Sequence, residues 1–120
     1  MAGLVRKSFD APEDVRRASG DMGRLDFVES ESGTAVRAAL EPGWQWSKHV
    51  KPHMGTDSCE VPHLGYVITG TLRIHMDDGE EQDFTPGDLL SVPPGHDAWV
   101  VGESPCVFID WYGCTEQAKR

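Results

Sequence analysis

From Leu25 onward the chain alternates short apolar runs with tight clusters of Gly, Pro and Asp. The clusters are Glu41-Pro42-Gly43, Asp77-Asp78-Gly79, Pro86-Gly87-Asp88, Pro93-Pro94-Gly95 and Gly102-Glu103-Ser104-Pro105. Between them Val, Ile, Leu, Thr and aromatic side chains recur at strand spacing, the pattern of many short strands joined by turns. Strands are predicted over Leu25 to Glu29, Thr34 to Leu40, Trp44 to Val50, Leu64 to Met76, Glu81 to Phe84, Leu89 to Val92, Ala98 to Val101 and Cys106 to Trp111. Asp78-Gly79 tolerates the positive φ angles of a hairpin turn and is expected to join the fourth and fifth of these. The class is all-β.

One stretch reads differently. In "SFDAPEDVRRAS", Asp10 can cap, Pro12 suits a first turn, and Glu13 and Asp14 complement a helix dipole, so a short peripheral helical turn is expected.

Size and charge narrow the partners. A chain of 120 residues suits one compact domain with one core. No apolar run approaches the roughly 18 residues of a membrane span, and the N-terminal residues lack the apolar stretch of a secretory signal. A cytoplasmic protein away from membranes is the expectation. Twenty acidic against eleven basic side chains give a formal charge of −9, which repels phosphate backbones and argues against nucleic acid. Cys59, Cys106 and Cys114 form an odd set without a C-x-x-C pair, so reduced thiols are expected rather than a disulfide framework. Phosphate-loop, dinucleotide and hydrolase-elbow motifs find no match.

The turn residues carry a resemblance. "GDLLSVPPGHDAWVVG" places Gly87, Pro93 and Gly95 in the register of the second motif of the cupin superfamily, with Ala98 where its histidine is expected. "HLGYVITG" ends on Gly70 as the first motif does. Counting back from Gly70 puts His63 at the motif's glutamate, Cys59 at its second histidine and Asp57 at its first; counting forward from Gly43 reaches His49 instead. The sequence therefore resembles the cupins, and among them small bacterial single-domain members. That resemblance implies a double-stranded β-helix or jelly-roll barrel over residues 24–114. An N-terminal extension with a short helix (1–23) and a polar tail (115–120) would flank it. It also implies a homodimer.

A small barrel leaves room inside for side chains or one small ligand, so its interior is the expected site. On one continuous strand Asp57, Cys59, Val61 and His63 share a face by alternation, although Pro62 interrupts such a strand. His96 stands two residues before the family's histidine position and faces inward if its strand starts early. Cys59, His63 and His96 together offer a thiolate and two imidazoles, a set suited to Zn²⁺ with an open fourth position. His49 and Asp57 are reserve ligands. Iron, manganese and nickel are the other candidate ions, and an ion-free interior is the alternative, because most of the family's histidines and its carboxylate are replaced.

Plain readings stand beside these. Cys59 also suits a small buried hydrophobe, His63 a hydrogen-bonded rim residue, and His96 a solvated turn residue bonded to Asp97. Trp44, Trp46, Tyr66 and Trp99 are the candidate pocket rings, although rings on strands more often fill cores. Three functions are carried forward: a metal-dependent barrel acting on a small metabolite, a non-catalytic barrel that binds or senses one, and a purely structural or interaction domain whose barrel is plugged by side chains. Tyr66, His49 and Asp57 are the candidate proton-moving groups of the first.

Overall fold

The computed structural model describes residues 3–18 and 20–113. Among these residues nine strands form, β1 (Asp14–Ala18), β2 (Gly23–Ser30), β3 (Gly33–Leu40), β4 (His63–Thr69), β5 (Thr71–Met76), β6 (Glu81–Phe84), β7 (Leu89–Val92), β8 (His96–Val101) and β9 (Cys106–Asp110). A single helical turn, α1 (Trp46–His49), and a 3-10 turn at Lys51–His53 lie between β3 and β4.

Two antiparallel sheets result. The larger has the order β1-β2-β3-β9-β4-β7 and the smaller β6-β5-β8. Their facing sides hold the core, and alternation decides which residues enter it. Leu25 and Phe27 come from β2, Val36, Ala38 and Leu40 from β3, and Cys106 and Phe108 from β9; Leu72 and Ile74 come from β5, and Ala98 and Val100 from β8. The all-β class expected from the turn pattern, and the jelly roll that the resemblance implies, are the observed fold.

Two glycines make the layout possible. Gly70, at φ +76, turns the chain from the large sheet into the small one, and a Cβ there would overlap the Pro105 backbone. The run Leu64 to Met76, expected as one strand, is therefore two strands in different sheets. Gly65 on β4 sits opposite Asp110 on β9, and a Cβ on it would overlap the Ile109 carbonyl. The expected hairpin at Asp78-Gly79 forms, with Gly79 N donating to Met76 O at 2.9 Å.

Two further expectations fail for reasons outside the local sequence. The N-terminal stretch forms no helix: Ser8 to Ala11 is a hydrogen-bonded turn, and Asp14–Ala18 pairs in register with Gly23 to Phe27. So short a segment cannot hold a helical nucleus by itself, whereas the open edge of β2 offers it a full ladder. Trp44 to Val50 is not a strand beyond one bridge, Gln45 to Trp99. Asp97 of β8 accepts a hydrogen bond from Ser47 N at 3.0 Å, and this carboxylate from elsewhere in the chain satisfies the first turn of α1. The expected C-terminal tail and Cys114 lie outside the described residues.

Candidate metal centre and cavity

Cys59 is placed by its backbone. Its N–H donates to His96 O at 2.7 Å and its carbonyl accepts from Gly95 N at 2.8 Å, an isolated bridge that sets it beside the start of β8. His96 heads that strand, two residues earlier than expected, and its parity with Ala98 and Val100 turns its ring inward, where it is 2% exposed. His63 opens β4 on the inward side, in register with Val92 of β7. The three side chains converge, with the Cys59 Sγ and one nitrogen from each ring all within 4.8 Å of one another. The two rings meet edge to face at 5.4 Å.

The second nitrogen of each ring is already engaged. His96 Nδ1 lies 2.9 Å from Pro93 O, which can only accept, so Nδ1 carries a proton and, in the neutral ring a metal ion requires, Nε2 is left as a lone-pair donor. His63 Nδ1 lies 2.7 Å from Asp110 Oδ2, with the same result. Asp110 is fully buried, and its other oxygen accepts from Tyr112 N at 2.8 Å and Gly113 N at 3.0 Å. Gly113 packs so closely that a Cβ would strike the His63 ring and the Pro62 carbonyl. Two imidazoles fixed in one tautomer beside a thiol form a donor set that fits a divalent ion of zinc type, and the outer partners are of the kind that orient metal-bound histidines.

The two described cysteines, both unbridged, differ in character. Burial opposes ionisation of Cys59, but in the ion-free site, where a ring carrying a second proton on Nε2 can donate it to the sulfur, hydrogen bonds from His63 and His96, the Val61 backbone and charge on His96 bring its pKa from 9.0 down to about 6. Cys106, buried on β9 without such partners, is pushed up to about 11. Only the first is a ready thiolate near neutral pH.

The cluster lies on the wall of a cavity of about 390 Å³. Trp44 and Trp46 line it as expected for pocket rings, along with Leu25, Leu90 and Phe108. The Trp44 indole N–H is buried and has no hydrogen-bond partner among the described residues. His49 also lines the cavity, but its Nδ1 bonds the Gln45 backbone at 3.1 Å and it stands outside the three-residue cluster.

Three candidates lie elsewhere. Asp57 is fully exposed and 3.8 Å from Lys51, because the chain before Pro62 is loop and the alternation argument does not apply to it. Tyr66 points outward from β4, 44% exposed. Trp99 faces away from the core on β8, its ring 6.2 Å from that of His75. Asp110 was legible and missed: alternation with Cys106 and Phe108 puts a carboxylate on the inward face of β9.

A sequence model described as the cupin domain matches residues 37–112. The chain belongs to the cupin family. This cupin also superposes on solved structures. The polyketide cyclase RemF from Streptomyces resistomycificus gives a TM-score of 0.64 at 16% identity over 93% of this chain and 80% of that one. KdgF from Halomonas sp. gives 0.62 at 20% identity, covering 93% and 94% of the two chains. An RmlC-like cupin from Shewanella frigidimarina gives 0.56 at 18% identity, covering 83% and 82%. At such identities the likeness speaks for the fold. No curated protein matches the sequence. Among the described residues no helix is long and apolar enough to cross a membrane.

Proposed function

We propose that this cupin holds a divalent ion, zinc by the character of its donors, on Cys59, His63 and His96, and takes a small molecule into the cavity beside it. The observation that carries this reading is the convergence of three donors within 4.8 Å, with both imidazoles held in the tautomer that directs Nε2 toward the thiol. When bound, the ion would supply a Lewis acid that polarises an oxygen of the ligand. The chain's own part is to hold the donors, keep the surrounding wall apolar and position the ligand through Trp44 and Trp46. Elemental analysis of untagged protein should find about one zinc per chain, by analogy with single-site zinc proteins. Cys59→Ala and His63→Ala should lose it. Absence of any ion from every preparation would remove the reading.

A second reading, a barrel that binds or senses without turnover, is favoured by one observation. No Asp or Glu lines the cavity among the described residues, and of the candidate proton-moving groups only His49 reaches it. A ligand that raises the melting temperature and is recovered unchanged supports this reading; its conversion removes it.

The homodimer belongs to this proposal as well. The outer face of β4 exposes Leu64, Tyr66 and Ile68, with Leu89 across from Tyr66 on β7 and Trp111 beyond β9. Such a patch suits a self-complementary contact. Sedimentation should give a dimer that Tyr66→Asp dissociates; a wild-type monomer rejects it. A cytoplasmic location accords with a thiol ligand that must stay reduced, and localisation of a tagged chain in another compartment would reject it.

A further inference from the structure

Two strands on facing sheets each carry a short side chain in the middle of their inward series. On β3 that series runs Val36, Ala38, Leu40 and on β8 it runs His96, Ala98, Val100, so each drops to a methyl group at its centre. β3 belongs to the large sheet and β8 to the small one, and both alanines line the cavity. Protein interiors are close-packed, with few voids larger than a water molecule. A hollow of about 390 Å³ bounded by these two alanines is therefore a built space rather than loose packing.

The ladders around them keep this part of the wall apolar. Ala38 is paired with Leu25 on β2 and Phe108 on β9, and Ala98 with Ile74 on β5; all five are buried and all line the cavity. The donors stand at one end. His96 is the inward position before Ala98, two residues or roughly 7 Å along the strand, and Cys59 and His63 converge on it. Arg16, which shares this face from the edge strand β1, is already held by Asp14 at 3.1 Å. A charge or a row of hydroxyls beside Ala38 and Ala98 would find no polar side chain on those five residues to bond, which is costly. An apolar body only gains by leaving water.

Volume sets the size. A cavity of about 150 Å³ lined by Leu, Ile and Phe holds benzene, so about 390 Å³ has room for two fused rings. Trp44 and Trp46 add planar walls, and Val100 N fixes the first by donating to Trp44 O at 3.0 Å. We propose that Ala38 and Ala98 are the specificity-determining residues of the cavity, and that its ligand is an uncharged molecule with a flat apolar body of two fused rings. The body lies on the two methyl groups, with a single polar atom toward Cys59, His63 and His96. The inference rests on the reading that the cavity takes a small molecule, and it is independent of the ion.

Calorimetry on the full chain with 2-naphthol, phenol and myo-inositol, which differ in ring count and polarity, tests it. Wild type should bind 2-naphthol roughly tenfold or more tighter than phenol, as a second buried ring requires, and myo-inositol weakest. Ala38→Leu and Ala98→Leu, made separately, each fill the hollow from one side. Each should keep the wild-type melting temperature or raise it, weaken 2-naphthol roughly fivefold or more and change phenol less than about twofold. Cys59→Ser, which removes one donor, should keep the preference for 2-naphthol. A melting temperature that falls in both leucine variants overturns the proposal, because the hollow is then filled already; where only one falls, the other carries the size test. Equal binding of the two ring probes or tighter binding of myo-inositol overturns it, as does loss of the preference in Cys59→Ser, since the donors then set the selectivity. If the preference persists unchanged in the leucine variants, the small-molecule reading stands and the assignment of the alanines fails. If wild type binds none of the three probes, both fall. A zinc-free protein that still prefers 2-naphthol defeats the metal reading and leaves this one standing.

Discussion

His63 Nδ1 and Asp110 Oδ2 are 2.7 Å apart, and the carboxylate is wholly shielded from solvent. The contact joins the first residue of β4 to the last of β9 and dictates which ring nitrogen of His63 faces Cys59. Asp110→Asn keeps the shape and an oxygen for Tyr112 and Gly113, but turns an amide N–H₂ toward Nδ1. That donor forces the proton onto Nε2, the atom needed as a ligand. Zinc affinity, measured by competition with a chromophoric chelator, should fall roughly 10- to 100-fold. Unchanged affinity would show that the carboxylate does not act through the ring.

Gly113 offers a steric test of the same contact. Gly113→Ala places a methyl group against the His63 ring and the Pro62 backbone, so it should destabilise the fold by about 1–3 kcal/mol and weaken zinc binding together. Gly55→Ala, where a Cβ meets nothing, should stay within about 0.5 kcal/mol by denaturant titration. Equal effects at the two positions would contradict the packing described.

Thiol chemistry should separate the two cysteines in metal-free protein. With Cys59 brought to about 6 and Cys106 raised to about 11, iodoacetamide near neutral pH should modify Cys59 far faster, as peptide mass spectrometry reads directly. Added zinc should protect it. Modification of Cys106 at a similar rate would refute the contrast.

The same difference sets a pH dependence. Cys59 is a thiolate in the folded state at pH values where the unfolded chain, with a pKa of 9.0, still holds the proton, so unfolding takes up a proton. Its stabilising contribution is complete above pH 9, shrinks as pH falls and is gone below about 6. Its ceiling is about 4 kcal/mol. Metal-free wild type should therefore gain stability over Cys59→Ser as pH rises from 6 to 9, measured by denaturant titration at each pH. A gap that is flat or narrows would reverse the sign.

Much of this site was open to sequence reasoning, and what was hidden has a common cause. Turn residues marked β2, β3, β6, β7 and β9 because their strands end where Gly, Pro or Asp forces the chain to turn. His96 followed from the two-residue period once its strand was allowed to begin early. Residues 44–50 misled because alternating tryptophans mimic a strand, while the group that ends it, Asp97, lies far along the chain. Asp57 misled in the opposite way, since alternation means nothing in a loop. The pairing of β1 with the edge of β2 was hidden as well, because no local pattern in Asp14–Ala18 announces it.

The position of β9 between β3 and β4 has a consequence for how the protein is made. Because β9 follows the other described strands in the chain yet fills the middle of the large sheet, the halves on either side keep open edges until it emerges. Folding rates fall when partners are so distant in sequence, and unpaired edges invite aggregation. Asp110 arrives on that strand, so the newborn chain acquires a correctly oriented His63 only as its barrel closes.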